Sequence, residues 1–172
     1  MVRISKQVKK HSTQMIKGEK YNCSVLAKQA FRHKGISKSP HLEQRMMEKG
    51  ISIDMSLIAE TLLDNGLLHN ILEYNETYVD GIFHQRVLID IKGIHSYVCH
   101  KHGVEKRGKL KVVYDITNGK LVTAYYNSID DNHPTLNLSN YEGSLVVRPY
   151  KYNGHDSRNS GINPNNNYKY KF

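Results

Sequence analysis

The apolar residues of this 172-residue chain change their spacing at Ile71. Before that position they recur at the three- and four-residue intervals of amphipathic helices. After it, short runs rich in Val, Ile, Tyr and Thr are separated by turn residues. These runs are candidate strands: ILEYNETYV, GIFHQRVLIDI, IHSYVC, KLKVVYD and KLVTAYYN. Helices that precede strands predict an α+β fold, with N-terminal helices packed on a twisted, mostly antiparallel sheet of about four or five strands.

The clearest junction between two strands is the segment VVYD-ITNG-KLVTAYY. Asn118-Gly119 supplies the positive φ that a tight hairpin requires. We therefore expect the two flanking strands to be antiparallel neighbours.

The segment HLEQRMMEKGIS, together with the two residues before it, carries the start and stop signals of a helix. Ser39 is expected to cap it, Pro40 suits the first helical position, and Gly50 supplies a left-handed end. A second helix is expected to start at Ser52 and to end at Gly66. The two would form a helical hairpin.

The positive charge of the chain, +9 in total, is concentrated at its two ends. Residues 1–39 contain ten Lys or Arg and Glu19 as their one acid, whereas residues 40–147 carry a net charge of −4 and residues 148–172 a net charge of +4. Basic segments of this kind commonly contact nucleic-acid phosphates. A solvated surface that only aids solubility is the alternative.

The N-terminal basic segment is expected to be helical. We predict a frayed helix over Val2–Lys20 and a further helix from Asn22 to about His33. The C-terminal segment has too few aliphatic side chains to form a core. The chain is accordingly divided into a basic N-terminal helical segment, an α+β core and an Asn/Tyr/Lys-rich flexible tail, at residues 1–38, 39–147 and 148–172.

The sequence lacks the signatures of several classes of protein. No apolar run is long enough to span a bilayer, and the N-terminus lacks the apolar segment of a secretory signal. Cys23 and Cys99 are too few for a disulfide framework. The motifs of nucleotide hydrolases, dinucleotide-binding proteins and common metal or serine hydrolases are missing. We expect a cytoplasmic protein of a bacterial cell, with no cofactor and no membrane partner.

The order of these motifs resembles that of known bacterial and phage families. HLEQRMMEKGIS matches the pattern His-x-x-x-Arg-Met followed by Gly-Ile-Ser, and VVYD…GKLVTAYYN matches a closing Val-Val-Tyr…Val-Thr-Ala-Tyr hairpin. Those families belong to the barnase/EndoU/colicin/RelE superfamily of small metal-independent ribonucleases and toxins. The resemblance covers Pro40 to Asn127 and places the family's closing threonine at Thr123. It implies a toxin-like or phage-encoded endoribonuclease that acts on mRNA, tRNA or rRNA.

Cleavage of RNA without a metal uses the 2′-hydroxyl as nucleophile and needs a base, an acid and a cation. Histidine suits both proton roles because its two forms coexist near neutral pH. His41 is the first candidate, with Arg45 one helical turn later to stabilise the phosphate. The alternative is that His41 caps the helix and that Arg45 pairs with an acidic neighbour.

Two strands supply further candidates for the catalytic site. His84 and Arg86 are two residues apart, so they share one face of the sheet, while Phe83, Val87 and Ile89 occupy the other. This basic pair suits a phosphate, although His84 can equally be a plain solvent-facing residue.

Thr123 and Tyr125 also share a face. The hydroxyl of Thr123 is suited to orient a phosphate, and Tyr125 to stack on a base. Packing of Tyr125 against a cross-strand neighbour is the alternative.

Nucleic-acid contacts are expected from a basic loop between two strands and from the tail. The loop, YVCHKHGVEKRGKL, is the strongest local basic cluster in the middle of the chain. The predicted binding residues are His100, His102, Lys106, Arg107, Lys109, Tyr150 and Lys151. We predict no metal site, because Cys99, His100 and His102 have poor spacing for one.

Two other functions remain open at this point. The first is a non-catalytic inhibitor of the same fold that binds nucleic acid or the ribosome. The second is a phage factor that binds a host protein through the acidic middle of the chain. An inhibitor protein is a further candidate partner.

Overall fold

The computed structural model describes residues 4–50, 52–98 and 103–129. It contains three helices and seven strands in these ranges. The helices are α1, α2 and α3, at Lys17–Lys34, Pro40–Lys49 and Met55–Leu63. The strands β1 to β7 are Ile4–His11, Ser37–Lys38, Ile71–Val79, Ile82–Asp90, His95–Val98, Glu105–Asp115 and Lys120–Ser128.

The strands form one open sheet in the order β1-β3-β4-β6-β7-β2. Only β2 and β7 are parallel, so the sheet is mixed and mostly antiparallel. Strand β5 pairs with the first residues of β6, whereas β4 pairs with the last residues of β6. β4 and β5 therefore lie one after the other along the same edge of β6.

The α+β class and the five predicted strands are confirmed, but the sheet is larger than expected. Strands β1 and β2 were not predicted. The frayed helix expected over Val2–Lys20 is wrong, because Ile4–His11 pairs antiparallel with β3 at the edge of the sheet. An edge strand has one neighbour and needs few apolar residues, and Lys9 forms an ion pair with Glu73 of β3 at 3.1 Å. Helical periodicity was therefore a poor guide to this polar segment.

The capping signals locate α2 correctly and the other two helices approximately. The Ser39 hydroxyl accepts the Leu42 N–H at 3.1 Å, and Gly50 ends α2 in the left-handed region. Helix α3 starts after Asp54, whose carboxylate accepts the Leu57 N–H at 3.1 Å, and not at Ser52. It ends at Leu63, before Gly66.

Helix α1 begins at Lys17, five residues before the expected cap at Asn22. Glu19 provides the start signal, since its carboxylate accepts the N–H of Ile16 at 2.9 Å. Asn22 is buried inside the helix. No helix of the described ranges is long and apolar enough to cross a membrane.

The three helices cover one face of the sheet. Alternate residues of the central strands pack with them in a single apolar core. Its members include Leu26, Leu42, Ile58, Tyr74, Val87, Ile89, Leu110, Val112 and Tyr114. The predicted inward direction of Val87 and Ile89 is confirmed, since both are fully buried.

The opposite face, which we call the open face, carries most of the polar residues of the same strands, together with Leu88 and Val113. The register places Asn75, Arg86, Asp115 and Lys120 in one row across β3, β4, β6 and β7. The next row contains Glu73, Leu88, Val113 and Thr123.

The predicted division at residues 38/39 and 147/148 stays a prediction, and the tail lies outside the described residues.

The turn between β6 and β7 docks on the end of α1. Tyr114 donates its hydroxyl hydrogen to the Gly35 carbonyl at 2.7 Å, and the Lys34 ammonium donates to the Thr117 carbonyl. Gly119 ends the turn with a φ of 74°. The predicted antiparallel hairpin around Asn118-Gly119 is confirmed, and α1 helps to hold it in place.

Gly119→Ala should destabilise the protein more than Gly81→Ala. Both glycines have positive φ angles, 74° and 81°, which cost an L-residue about 1–2 kcal/mol. A Cβ at Gly119 would also lie 2.8 Å from the Cβ of Lys34, whereas one at Gly81 would meet no atom within 4 Å. Urea unfolding of both variants measures the difference. Equal losses would mean that the turn is not packed against α1.

Candidate active site on the open face

A buried carboxylate joins a histidine and an arginine on the open face. The Oδ2 atom of Asp115 lies 2.9 Å from His84 Nδ1 and 3.1 Å from Arg86 Nε. Asp115 has no exposed surface, while the side chains of His84 and Arg86 are 15% and 27% exposed. We call these three residues the Asp115 cluster.

The second oxygen of Asp115 organises the β6–β7 turn. Its Oδ1 atom accepts the backbone N–H groups of Thr117 at 2.9 Å and Asn118 at 3.2 Å. A short acidic side chain often binds the backbone two residues later in this way. The carboxylate thus accepts four donors, which compensates for the cost of burying it.

The same turn is also bonded to the backbone of β4. The N–H of Gln85 donates to the Thr117 hydroxyl at 2.9 Å, and the N–H of Ile116 donates to the Gln85 carbonyl at 2.8 Å. Gln85 lies between His84 and Arg86 in the chain. The position of both side chains relative to Asp115 is therefore fixed through the backbone as well.

This geometry suits proton transfer by His84. A carboxylate only accepts hydrogen bonds, so the Nδ1 atom of the neutral ring must carry the hydrogen. The Nε2 atom is then left as the basic nitrogen of a partly exposed ring. A carboxylate that fixes the tautomer and orientation of a histidine is a recurrent feature of catalytic sites.

Thr77 lies directly across from His84 in the β3–β4 pairing. Its side chain is on the open face, and the residue is 4% exposed. In the described part of the chain, the Thr77 hydroxyl has no hydrogen-bond partner. Buried polar groups are rarely left in this state, which marks the surroundings of His84 as unusual.

The predicted residues Thr123 and Tyr125 lie on the same face, on β7. Thr123 pairs with Val113, and Tyr125 pairs with Lys111. From the spacing of strands and residues, the Cα atoms of Thr123 and Arg86 are separated by roughly 12 Å. One extended oligonucleotide would be long enough to reach both.

His41 and Arg45 are exposed residues of helix α2, which packs beside β7. The N-terminus of α2 is attached to this strand, because the Ser39 hydroxyl donates to the Val122 carbonyl at 3.2 Å. This bond brings the start of α2 beside Thr123. Among the described residues, no hydrogen bond or ion pair joins His41 or Arg45 to the Asp115 cluster.

The predicted nucleic-acid-binding residues fall into two groups. Lys106, Arg107 and Lys109 belong to strand β6 and not to a loop, because β5 pairs with this segment. The alternation of the strand places Arg107 and Lys109 on the open face and Lys106 on the other. The remaining predicted residues lie outside the described ranges: His100, His102, Tyr150 and Lys151.

Sequence reasoning missed Asp115, Thr77 and Lys111. The position of Asp115 at the start of a turn indicates a side chain that binds the turn backbone. Its pairing with His84 depends on the register between β4 and β6, which a single sequence does not contain. No group of three or more His, Cys, Asp or Glu in the described chain has the arrangement of a metal site.

Comparison with known proteins does not assign this chain to a family. No family model, no curated protein and no solved structure matches this chain.

Asp115→Asn should lower the free energy of unfolding by about 1.5–3 kcal/mol, the usual worth of hydrogen bonds to a charged group. The amide can still accept the turn N–H groups, but its NH₂ group would face the donors of His84 and Arg86. Chemical denaturation of Asp115→Asn, His84→Gln and the double variant measures the coupling. Additive losses would contradict a direct bond between Asp115 and His84.

Thr77→Val should raise the free energy of unfolding by about 1 kcal/mol, because it removes a buried hydroxyl that has no partner. Valine has a similar shape and favours strands. Thr77→Ala serves as the control for lost packing and should destabilise the protein. A loss of stability in Thr77→Val would mean that the hydroxyl is hydrogen-bonded in solution.

Proposed function

We propose that this protein is a metal-independent endoribonuclease whose active site includes the Asp115 cluster. The observation that carries the proposal is the hydrogen bond between Asp115 and His84, beside Arg86. It combines an oriented base with a cation on one face of the sheet. The resemblance of the two sequence motifs to ribonuclease families supports the same conclusion.

In this proposal, His84 Nε2 removes the proton of a 2′-hydroxyl. The 2′ oxygen then attacks phosphorus, and the bond from phosphorus to the 5′ oxygen breaks. The guanidinium of Arg86 stabilises the extra negative charge on the phosphorane. The products are a 2′,3′-cyclic phosphate and a 5′-hydroxyl.

The leaving 5′ oxygen needs a proton from a second group. The candidate is the imidazole of His41, with Thr123 orienting the phosphate. Tyr125 pairs with Lys111, too far along the sheet from His84 to donate this proton, and is proposed to contact a base instead. The attachment of α2 to β7 places the motif residues His41 and Thr123 at the same edge of the sheet. Arg45, one helical turn after His41, is the second proposed phosphate contact.

A non-catalytic nucleic-acid- or ribosome-binding protein is the second candidate. One observation favours it: the Asp115 carboxylate binds the turn backbone as well as His84 and Arg86, so the cluster also has a purely structural use. In that case, the cations of the open face would hold RNA without cleaving it.

Cleavage of RNA by the purified protein in EDTA tests the proposal. Total RNA is incubated with the wild type, and the 5′ ends are mapped together with the chemistry of the 3′ ends. We expect cyclic phosphate ends and a loss of about 10²-fold or more in rate for His84→Gln, the usual contribution of general base catalysis. His69→Gln is the matched control, since His69 is exposed and lies outside the sheet.

Three results would contradict this assignment. Cleavage that requires added magnesium would exclude the proposed chemistry. Full cleavage by His84→Gln together with a loss in His41→Ala would transfer the active site to α2. Intact RNA with tight, salt-sensitive binding would favour the second candidate.

A further inference from the structure

We propose that the open face binds single-stranded RNA along β6, with phosphates at Lys111, Lys109 and Arg107 and a base stacked on Tyr125. This inference rests on the proposed function, because it names the substrate class of the same site. The sequence assigned no role to Lys111, and its alignment with Lys109 and Arg107 on one face follows from the register of β6.

The cations of β6 are aligned on one face. Arg107, Lys109 and Lys111 alternate with residues that point to the helices, so their Cα atoms are separated by roughly 6.8 Å. That spacing is comparable with the distance between successive phosphates in an extended nucleic-acid strand. Within the described ranges, none of the three forms an ion pair with a carboxylate.

The acids nearest to the active site on this face are already occupied. Glu73 forms an ion pair with Lys9, and Asp115 accepts His84 and Arg86. Of the other acids, Asp90 lies opposite Lys111 and Glu105 lies at the start of β6. Among the described residues, Lys111 forms no ion pair with Asp90, and Arg107 and Lys109 form none with Glu105, so these cations are available to phosphates.

An aromatic ring lies beside the row of cations. Tyr125 is 45% exposed and pairs directly with Lys111, and Asn127 pairs with Lys109. Aromatic rings next to cations bind unpaired bases by stacking while the cations contact the backbone. A duplex has its bases stacked inside the helix, so it cannot use Tyr125 in this way.

The row leads to the proposed catalytic group. Lys111 precedes Asp115 by four residues, so their Cα atoms lie about 13 Å apart along β6. An RNA strand held at Arg107, Lys109 and Lys111 would thus continue towards His84 and Arg86. The two parts of the face form one path for the substrate.

Strand β6 contains its own control. Lys106 was predicted from the sequence to bind nucleic acid, but it points to the other face, where it pairs with Tyr97, and the proposed path of the RNA does not reach it. The ring of Tyr97 stacks on Tyr126 at 4.9 Å, which identifies that face as the one bearing the core. Lys106→Glu changes the net charge by the same amount as Lys111→Glu, so only position distinguishes them.

Fluorescence anisotropy with a 2′-O-methyl oligonucleotide tests the inference without cleavage, because this RNA has no free 2′-hydroxyl. We expect the single strand to bind at least tenfold more tightly than a hairpin duplex of equal length. Lys111→Glu should weaken binding about tenfold or more and reduce its salt dependence, as expected for a lost phosphate contact. Tyr125→Ala should weaken binding about 5- to 150-fold, the range for one stacked base.

Lys106→Glu should change the affinity less than twofold, and thermal unfolding of each variant confirms that it is folded. Equal losses in Lys106→Glu and Lys111→Glu, or equal affinity for the duplex, would overturn the inference. Position-dependent binding with no cleavage of unmodified RNA would support it and refute the nuclease proposal. Cleavage unaffected by Lys111→Glu and Tyr125→Ala would do the reverse.

Discussion

The rest of this structure depends on the hydrogen bonds that the buried Asp115 carboxylate accepts. One of its oxygens holds the turn between β6 and β7, and the other holds His84 and Arg86 of β4. The same turn packs on the end of α1 through Lys34. A single buried charge therefore links the central strands, the closing hairpin and a helix. Because the charge is buried, it must be paired, and its side-chain partners are His84 and Arg86, the proposed base and the proposed phosphate contact.

The separation of the two sheet faces gives this cluster its surroundings. One face is mainly apolar and is covered by the three helices, with Glu76 and Gln85 hydrogen-bonded to the buried Tyr74 hydroxyl. The open face carries most of the other polar residues of these strands. Strand β6 contributes to both through simple alternation, with Leu110 directed to the core and Lys111 to the open face. The fold thus brings a base, a guanidinium, cations and an exposed ring to one surface, as the proposed RNA cleavage requires.

Much of the fold could be predicted from local signals, and the site only in part. Strands β3 to β7 have the period and turn residues that reveal strands, and Ser39 and Gly50 mark the ends of α2. Strand β1 could not be predicted, because its conformation is determined by its pairing with β3 and not by its own side chains. Period alone placed His84 and Arg86 on one face. The contribution of Asp115 depends on long-range register, which no local pattern encodes.

The most direct test of this account is the tautomer of His84, measured by long-range ¹H–¹⁵N correlation spectra with His84→Gln used to assign the signals. The account predicts that the neutral ring carries its hydrogen on Nδ1, donated to Asp115, and that Nε2 is the basic nitrogen. It also predicts that Asp115→Asn abolishes this preference. A neutral ring with its hydrogen on Nε2 would contradict the account, because His84 would then be unable to accept the 2′-hydroxyl proton at that atom.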